Sequence, residues 1–230
     1  MIVFLSFSLR LAAFPLGCTF LAGQVPSIRE IVDRFDAAQA KIDTLQAPFT
    51  LSIKRAMLQT PSITKGTFYL SGSNFAHFAF LPPEDLIIHV TDKAFVSYMP
   101  GSKKGEMKKT GVAKSISRKS LGLGQRLSYF SDFFKLEASE PKDKPGTLMV
   151  TLTPRSISFK KKMEKIQVWI DRETYLPKSL TWIERGGDVW SMELGTIQTN
   201  RAIQASVLNF AVPAGTQMQS GFSFFSAKNN

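Results

Sequence analysis

The side chains that could do chemistry are few and scattered. There are two histidines, His77 and His89, and each falls within a run that alternates apolar and polar residues. A zinc site needs three or four His, Cys or carboxylate ligands at supporting spacing, and no such cluster surrounds either histidine. The single cysteine, Cys18, lies in an apolar N-terminal stretch, and Glu84 and Asp85 are merely neighbours in a loop. The pattern favours a protein that is not an enzyme and uses no metal or cofactor, although an enzyme that acts on a lipid through His77, His89 or Glu84 remains an alternative.

The composition favours a large apolar interior or cavity. Hydrophobic residues make up 43% of the 230-residue chain, and 19 Phe stand against 4 Tyr and 3 Trp. Phe supplies apolar area without a polar group. The net charge of +11 arises in part from four basic clusters: Lys103–Lys104, Lys108–Lys109, Lys114–Lys119 and Lys160–Lys162. No RNA-binding or zinc-finger motif accompanies them, so we expect no nucleic-acid partner, and the clusters are either solvated loops or contacts for an anionic membrane or an acidic protein.

The first 23 residues have the character of a targeting segment. Met1–Gly23 is almost wholly apolar apart from Arg10 and ends in small residues, as a cleaved secretory signal does. Two alternatives remain: a membrane-spanning anchor, or a lipid anchor on Cys18, since Leu16-Gly17-Cys18 resembles a weak lipobox. The remainder, 24–230, shows no repeat or linker and is expected to form a single domain.

The first predicted element after this segment is a helix. Ser27 and Glu30 form an S-x-x-E capping box. Apolar residues then recur at helical spacing from Ile28 to Leu45, which predicts a helix of roughly five turns that Pro48 ends. Strands are predicted to follow, beginning with Phe49–Ile53.

A ribbon of short strands dominates the middle of the chain. Gly66–Pro100 alternates apolar and polar residues through four runs separated by turn residues, which is typical of antiparallel strands. Both faces of this ribbon carry apolar side chains, although a sheet with one buried face would alternate more cleanly. Further runs up to Val207–Val212 bring the count to about eleven strands. In the insertion 111–141, Leu127, Phe130 and Phe134 match a helical stripe, which predicts one or two short helices that cap the core or form a movable lid.

The order of these segments resembles a known family. After the amphipathic helix come G-x-F-Y-L at Gly66–Leu70, the Phe95–Pro100 strand, Val168-Trp169-Ile170-Asp171, and the closing Phe210–Gly215. This arrangement is similar to the periplasmic outer-membrane lipoprotein carrier LolA and its relatives, through nearly all of the chain after the leader. The individual motifs are weak, and their order and spacing carry the resemblance.

The resemblance implies a mainly β (α+β) fold: an unclosed, strongly curved antiparallel β-barrel of about eleven strands with an N-terminal helix and short lid helices. It implies a monomeric periplasmic carrier that binds lipoprotein acyl chains in an apolar trough. The partners would be an inner-membrane ABC transporter that releases lipoproteins and an outer-membrane acceptor lipoprotein. The expected lipid-binding residues are Phe49, Leu51, Phe68, Leu70, Phe78, Phe80, Ile88, Val96 and Trp182, with Leu127, Phe130 and Phe134 on the lid. Since each buried CH₂ gains about 0.8 kcal/mol, such a trough needs no specific polar chemistry.

One departure from the family concerns the lid. An Arg-Pro pair usually precedes the Asn-Leu/Phe stretch and tethers the lid, whereas Gly72-Ser73 precede Asn74-Phe75 here. Gating through that arginine is therefore not carried over. Three other functions remain open: a membrane-anchored acceptor, a carrier of another lipid or glycolipid, and a stress-sensing or interaction domain of the cell envelope without cargo.

Overall fold

A computed structural model describes residues 26–72, 74–109 and 126–221. Thirteen strands form a single sheet within these ranges. The strands are β1 Thr44–Lys54, β2 Ser62–Ser71, β3 Phe75–Phe80, β4 Ile87–Val90, β5 Ala94–Met99, β6 Lys104–Lys109, β7 Phe134–Ser139, β8 Thr147–Pro154, β9 Met163–Asp171, β10 Pro177–Glu184, β11 Val189–Leu194, β12 Gln198–Thr199 and β13 Gln217–Ser220. The helices are α1 Ile28–Gln39, a 3-10 turn at Ser128–Phe130, α2 Ile157–Lys160 and α3 Ala205–Leu208. The leader Met1–Gly23, with Cys18, and the basic run Lys114–Lys119 lie outside the described residues.

The sheet is an open antiparallel ribbon. Its strand order is β13-β6-β5-β4-β3-β2-β1-β11-β10-β9-β8-β7, with β12 paired to β1. Each pair is antiparallel except β13 with β6. The two ends of this path, β13 and β7, are not paired with each other in the described part of the chain. The predicted fold class, a mainly β, unclosed sheet with an N-terminal helix, is confirmed, with thirteen strands where about eleven were expected.

Helix α1 begins where the capping box predicts but ends early. The Ser27 hydroxyl accepts a hydrogen bond from the Glu30 N–H at 3.2 Å. The helix ends at Gln39, and Leu45 already belongs to β1, so the predicted extension to Leu45 is wrong. Pro48, expected to stop the helix, lies inside β1 at the point where its neighbour changes from β12 to β11. A proline without an N–H is tolerated at such a gap in the ladder.

One face of the sheet packs against α1 and the 3-10 turn, and we call it the inner face. Ile31 and Phe35 of α1 are fully buried against it. The strand registers show that this face continues from β3 to β8. Phe78 pairs with Phe68 and Phe68 with Ala47. Further along the sheet, Leu180 pairs with Val168 and Val168 with Val150. The hydrophobic core lies between this face and the helix.

On the opposite face, called the outer face, Phe210 from the segment after β12 covers part of strands β3, β4 and β5. The ring of Phe210 lies 5.7 Å from that of His77, 5.3 Å from that of His89 and 6.2 Å from that of Tyr98. The predicted strand Val207–Val212 is wrong: α3 occupies its beginning and no strand follows until β13. This cover explains why the ribbon Gly66–Pro100 is apolar on both faces. Across the described ranges, no helix is long and apolar enough to span a bilayer.

The described part of the insertion, 126–141, is only partly helical. Leu127 precedes the 3-10 turn and Phe130 ends it, whereas Phe134 begins strand β7 and pairs with Pro154. The prediction that Phe134 continues a helical stripe is therefore wrong. The side chain of Phe134 still packs on that of Phe130, with ring centroids 6.1 Å apart, because the chain turns sharply between them.

Candidate functional site

A small apolar pocket lies between the 3-10 turn and the inner face. Seven apolar side chains line it: Leu127, Phe130, Leu152, Ile166, Val168, Leu180 and Trp182. It leaves about 10 Å³ for the centre of a water-sized sphere, which is room for about one water molecule. Ligand pockets for drug-sized molecules enclose about 300–1,000 Å³. An apolar guest can enter here only if the side chains from the 3-10 turn move away.

The pocket unites three of the residues expected from sequence. Trp182 comes from β10, and Leu127 and Phe130 come from the insertion. Leu127 and Phe130 are almost fully buried, at 2% and 4% exposure. These three therefore form the contact between the sheet and the segment predicted to be its lid.

Seven other expected residues lie on the same inner face, nearer the middle of the ribbon: Phe49, Leu51, Phe68, Leu70, Phe78, Phe80 and Ile88. The ring of Phe49 is edge-on to Phe78 at 5.9 Å and to Phe80 at 5.1 Å. It also lies over Gly66, where a Cβ would sit 2.6 Å from its Cζ atom. Gly66 thus provides the space for this ring, and the aromatic group forms one wall of the inner face.

Val96 does not join this set. It pairs with His89, and His89 pairs with His77, so all three lie on the outer face. The inner-face residue at this point is Phe95, which pairs with Val90. The expectation that Val96 shares a face with Ile88 is wrong, because successive residues of a strand point to opposite faces and both faces here are buried.

A carboxylate on α1 holds the segment that closes the pocket. One oxygen of Asp36 accepts a hydrogen bond from the Leu127 N–H at 2.6 Å, and the other accepts one from the Ser128 N–H at 3.3 Å. These N–H groups stand at the start of the 3-10 turn, where backbone donors otherwise lack partners. Asp36 therefore ties the turn to α1 directly above the core.

The same helix ends in a buried amide. Gln39 is 8% exposed, and its side-chain nitrogen and oxygen have no hydrogen-bond partner among the described residues. A buried amide without partners costs free energy. This end of α1 is therefore less well satisfied than its capped start.

The two histidines form a pair on the outer face. Their Nδ1 atoms are 3.0 Å apart, so one ring donates and the other accepts. Burial, with the neighbouring His89, lowers the pKa of His77 from 6.5 to about 4, and burial lowers the pKa of His89. Both rings are therefore neutral near pH 7. Within the described ranges, no group of three or more His, Cys, Asp or Glu side chains could hold a metal ion.

Sequence reasoning found the apolar side chains of this site but missed its polar contacts. Asp36 is an ordinary acidic residue on an amphipathic helix, and its partners are backbone groups 91 and 92 residues away. The His77–His89 pair could have been predicted from the sequence. Two short alternating runs joined by a turn form a hairpin, and a hairpin places residues of the two strands opposite each other. The inner face therefore offers apolar contact to an apolar guest. The 3-10 turn that covers it is held by hydrogen bonds to the Asp36 carboxylate.

Solved structures of other proteins are similar to this one. An uncharacterized conserved protein from Thermus thermophilus is 12% identical, with a TM-score of 0.51, and the match covers 84% of this chain and 98% of that one. A LolA superfamily protein from Nitrosomonas europaea is 10% identical at a TM-score of 0.40, covering 80% and 98% of the two chains. The lipoprotein LppX of Mycobacterium tuberculosis is 13% identical at a TM-score of 0.44, covering 77% and 99%. At 12% identity, the likeness to the Thermus thermophilus protein shows a shared fold and nothing more.

The comparison with family models says more about this chain than the structural likeness does. Among curated proteins, no sequence matches the chain. The model of the family described as outer membrane lipoprotein carrier protein LolA matches residues 40–211. This match covers the sheet from its first strand to the segment that covers part of the outer face. The chain therefore belongs to the LolA family of outer membrane lipoprotein carrier proteins.

Proposed function

We propose that this protein is a periplasmic carrier that binds the acyl chains of lipoproteins at its inner face and moves them from the inner to the outer membrane. The observation that carries the proposal is the apolar pocket whose cover, Leu127 and Phe130, is held by the Asp36 carboxylate. A removable cover over a continuous apolar face suits a guest that is apolar and must be released. Membership of the carrier family supports the same role.

Binding in this account begins with displacement of the 3-10 turn. With Leu127 and Phe130 withdrawn, the guest contacts Trp182, Ile166 and Leu180, which are the sheet side of the pocket. The aromatic wall around Phe49 lies on the same face and extends the apolar surface toward β3 and β4. The guest replaces the contacts that Leu127 and Phe130 make with the sheet when the site is empty. Each CH₂ group of the guest that leaves water contributes about 0.8 kcal/mol to the free energy of binding.

Transfer in this account requires no covalent chemistry. The guest leaves when a receiver offers it more apolar contact, and the cover then closes again through the two Asp36 hydrogen bonds. The proposed donors and receivers are an inner-membrane ABC transporter and an outer-membrane acceptor lipoprotein. No catalytic residue or cofactor enters any step.

The test is to purify the protein natively, extract it with organic solvent and identify bound lipids by mass spectrometry. Titration with a fluorescent fatty acid then measures binding to the emptied protein. We expect acylated species to co-purify and the probe to be displaced by lipopeptide. Absence of both, with the protein folded, would contradict the carrier function and favour an envelope interaction domain without cargo. Displacement by a glycolipid but not by a lipopeptide would instead identify a carrier of another lipid.

A further inference from the structure

One end of the sheet exposes large apolar side chains among basic ones. In the turn between β1 and β2, Met57 is 96% exposed and Leu58 is 60% exposed. At the same end, Ile157 of α2 is 75% exposed. We use the name rim for the segments 54–61, 155–162 and 184–188. Such exposure is costly for large aliphatic side chains in a group, and it marks an interaction surface.

Hydrogen bonds tie the three rim segments together. Asp188 accepts from the Arg55 guanidinium at 2.6 Å and from the Ala56 N–H at 2.8 Å. On the other side, Arg185 donates from its backbone N–H to the Lys162 carbonyl at 3.0 Å and from Nε to the Lys160 carbonyl at 3.2 Å. The turn that carries Met57 and the helix that carries Ile157 are therefore parts of one connected surface.

The rim is strongly basic. Its three segments contain seven Lys or Arg side chains and two acidic ones. One of the acidic groups, Asp188, forms an ion pair with Arg55. The six other cations of the rim are Lys54, Arg155, Lys160, Lys161, Lys162 and Arg185. A surface of this charge complements an anionic one.

The rim lies next to the pocket. Trp182, on the pocket wall, precedes the rim residue Glu184 by two positions in β10. From the rim helix, the ring of Phe159 packs on Phe134 at 5.6 Å, and Phe134 packs on Phe130 at 6.1 Å. The rim helix thus has one side in the core beside the cover and the other side in solvent.

We propose that the rim docks the protein on an anionic lipid bilayer. Met57, Leu58 and Ile157 enter the headgroup region, while Lys160–Lys162 and Arg185 contact anionic headgroups. Amphipathic surfaces that bind membranes combine these two features, buried apolar side chains and nearby cations. Exposed aliphatic side chains carry no hydrogen-bonding groups that would select a particular protein surface. The inference rests on the proposed function and extends it, because docking at this end brings the pocket to the membrane from which an acyl chain comes.

The experiment is vesicle co-sedimentation of the protein as the cell produces it. Vesicles of phosphatidylcholine alone are compared with vesicles in which about a quarter of the lipid is phosphatidylglycerol, whose anionic headgroups attract basic side chains. We expect retention that requires the anionic lipid and falls as salt is raised, since salt screens exposed charges. The variant M57S/L58S should lower the partition coefficient by about tenfold or more. The variant K160Q/K161Q/K162Q should lower it by at least about tenfold.

Matched variants away from the rim serve as controls. M107S/L208S removes two other partly exposed apolar side chains, and K41Q/K142Q/K144Q removes three other exposed lysines that belong to none of the basic clusters. Both should retain partition within about twofold of the unmodified protein, since neither changes the rim. Retention that does not require anionic lipid, or that rim and control variants alter equally, would overturn the inference. Binding of the fluorescent fatty acid in solution without vesicles tests the proposed carrier function separately. If the protein binds this probe but does not bind the vesicles, only the docking inference is wrong.

Discussion

The Asp36 carboxylate accepts a 2.6 Å hydrogen bond from the backbone N–H of Leu127, joining α1 to the segment over the pocket. With the second bond, from the Ser128 N–H, it fixes the start of the 3-10 turn that places Phe130 in the core. The resemblance to the family implies a tethering arginine before Asn74, but Gly72 and Ser73 stand there. In this protein a helix carboxylate and two backbone donors connect the 3-10 turn to α1.

Removal of the carboxylate should therefore loosen the cover. A hydrogen bond to a charged group contributes about 1.5–3 kcal/mol, so Asp36→Ala should speed hydrogen exchange of the 3-10 turn by roughly tenfold to a hundredfold. Peptides covering Leu127–Phe130, followed by mass spectrometry, report this directly. Asp33→Ala, an exposed position on the same helix, is the control. Unchanged protection in Asp36→Ala would show that the turn is held by packing alone.

Two tryptophans on neighbouring strands lie on opposite faces of the sheet. Trp182 lines the pocket on the inner face. Trp169 of β9 pairs with Ser179 and lies on the outer face, with the Lys144 ammonium 4.2 Å from its ring centroid. Trp182→Ser should weaken fatty-acid binding by about tenfold or more, because a large apolar contact is lost. Equal weakening by Trp169→Ser, measured with the same fluorescent probe, would place the guest elsewhere.

The histidine pair predicts a pH-dependent stability. Because the folded-state pKa of His77 is lowered from 6.5 to about 4, the unfolded chain binds a proton between these values that the folded chain does not. The free energy of unfolding should therefore fall as the pH is lowered from about 6.5 to about 4, by an amount on the order of 2 kcal/mol. Chemical denaturation at several pH values measures this slope.

A double variant tests the assignment of that slope. His77→Gln/His89→Gln keeps polar side chains at both positions but removes the titrating rings. Its stability should depend less on pH over the same interval, whatever its absolute value at pH 7. A slope equal to that of the unmodified protein would assign the pH dependence to other groups.

The buried amide of Gln39 predicts a gain in stability upon its replacement. Gln39→Met keeps the length of the side chain but removes two buried polar atoms that have no hydrogen-bond partner among the described residues. The free energy of unfolding should rise by about 1–2 kcal/mol. The exposed residue Gln217 provides the control Gln217→Met, which should change little. A loss of stability in Gln39→Met would indicate that the amide is satisfied in solution.

Local signals in the sequence predicted the parts of the fold that local contacts determine. The start of α1 depends on Ser27 and Glu30, three residues apart, and the structure confirms it. Its end depends on distant groups: the Asp43 N–H donates to the Asn200 side chain at 2.8 Å, and the Thr44 carbonyl accepts from the Asn200 N–H. These contacts draw the chain into β1, so the helical spacing of Leu45 was coincidental.

The same contrast between local and distant contacts applies to the candidate site. Side-chain type and alternation identified the inner face from Phe49 to Trp182, because burial of large apolar groups is encoded residue by residue. Alternation could not assign Val96, since both it and Phe95 are buried, on opposite faces of β5. The Asp36 contact could not be predicted either, because its partners are backbone N–H groups that have no sequence signature.

The most direct test of the central claim is to map where an acyl chain binds. A fatty acid with a photoreactive group in its tail is added to the protein, irradiated and located by peptide mass spectrometry. We predict labels on the pocket residues Trp182, Ile166 and Phe130, lost when unlabelled lipopeptide competes. Labels confined to the outer face around Trp169 and Phe210, or no labels that a competitor removes, would contradict binding at the inner face.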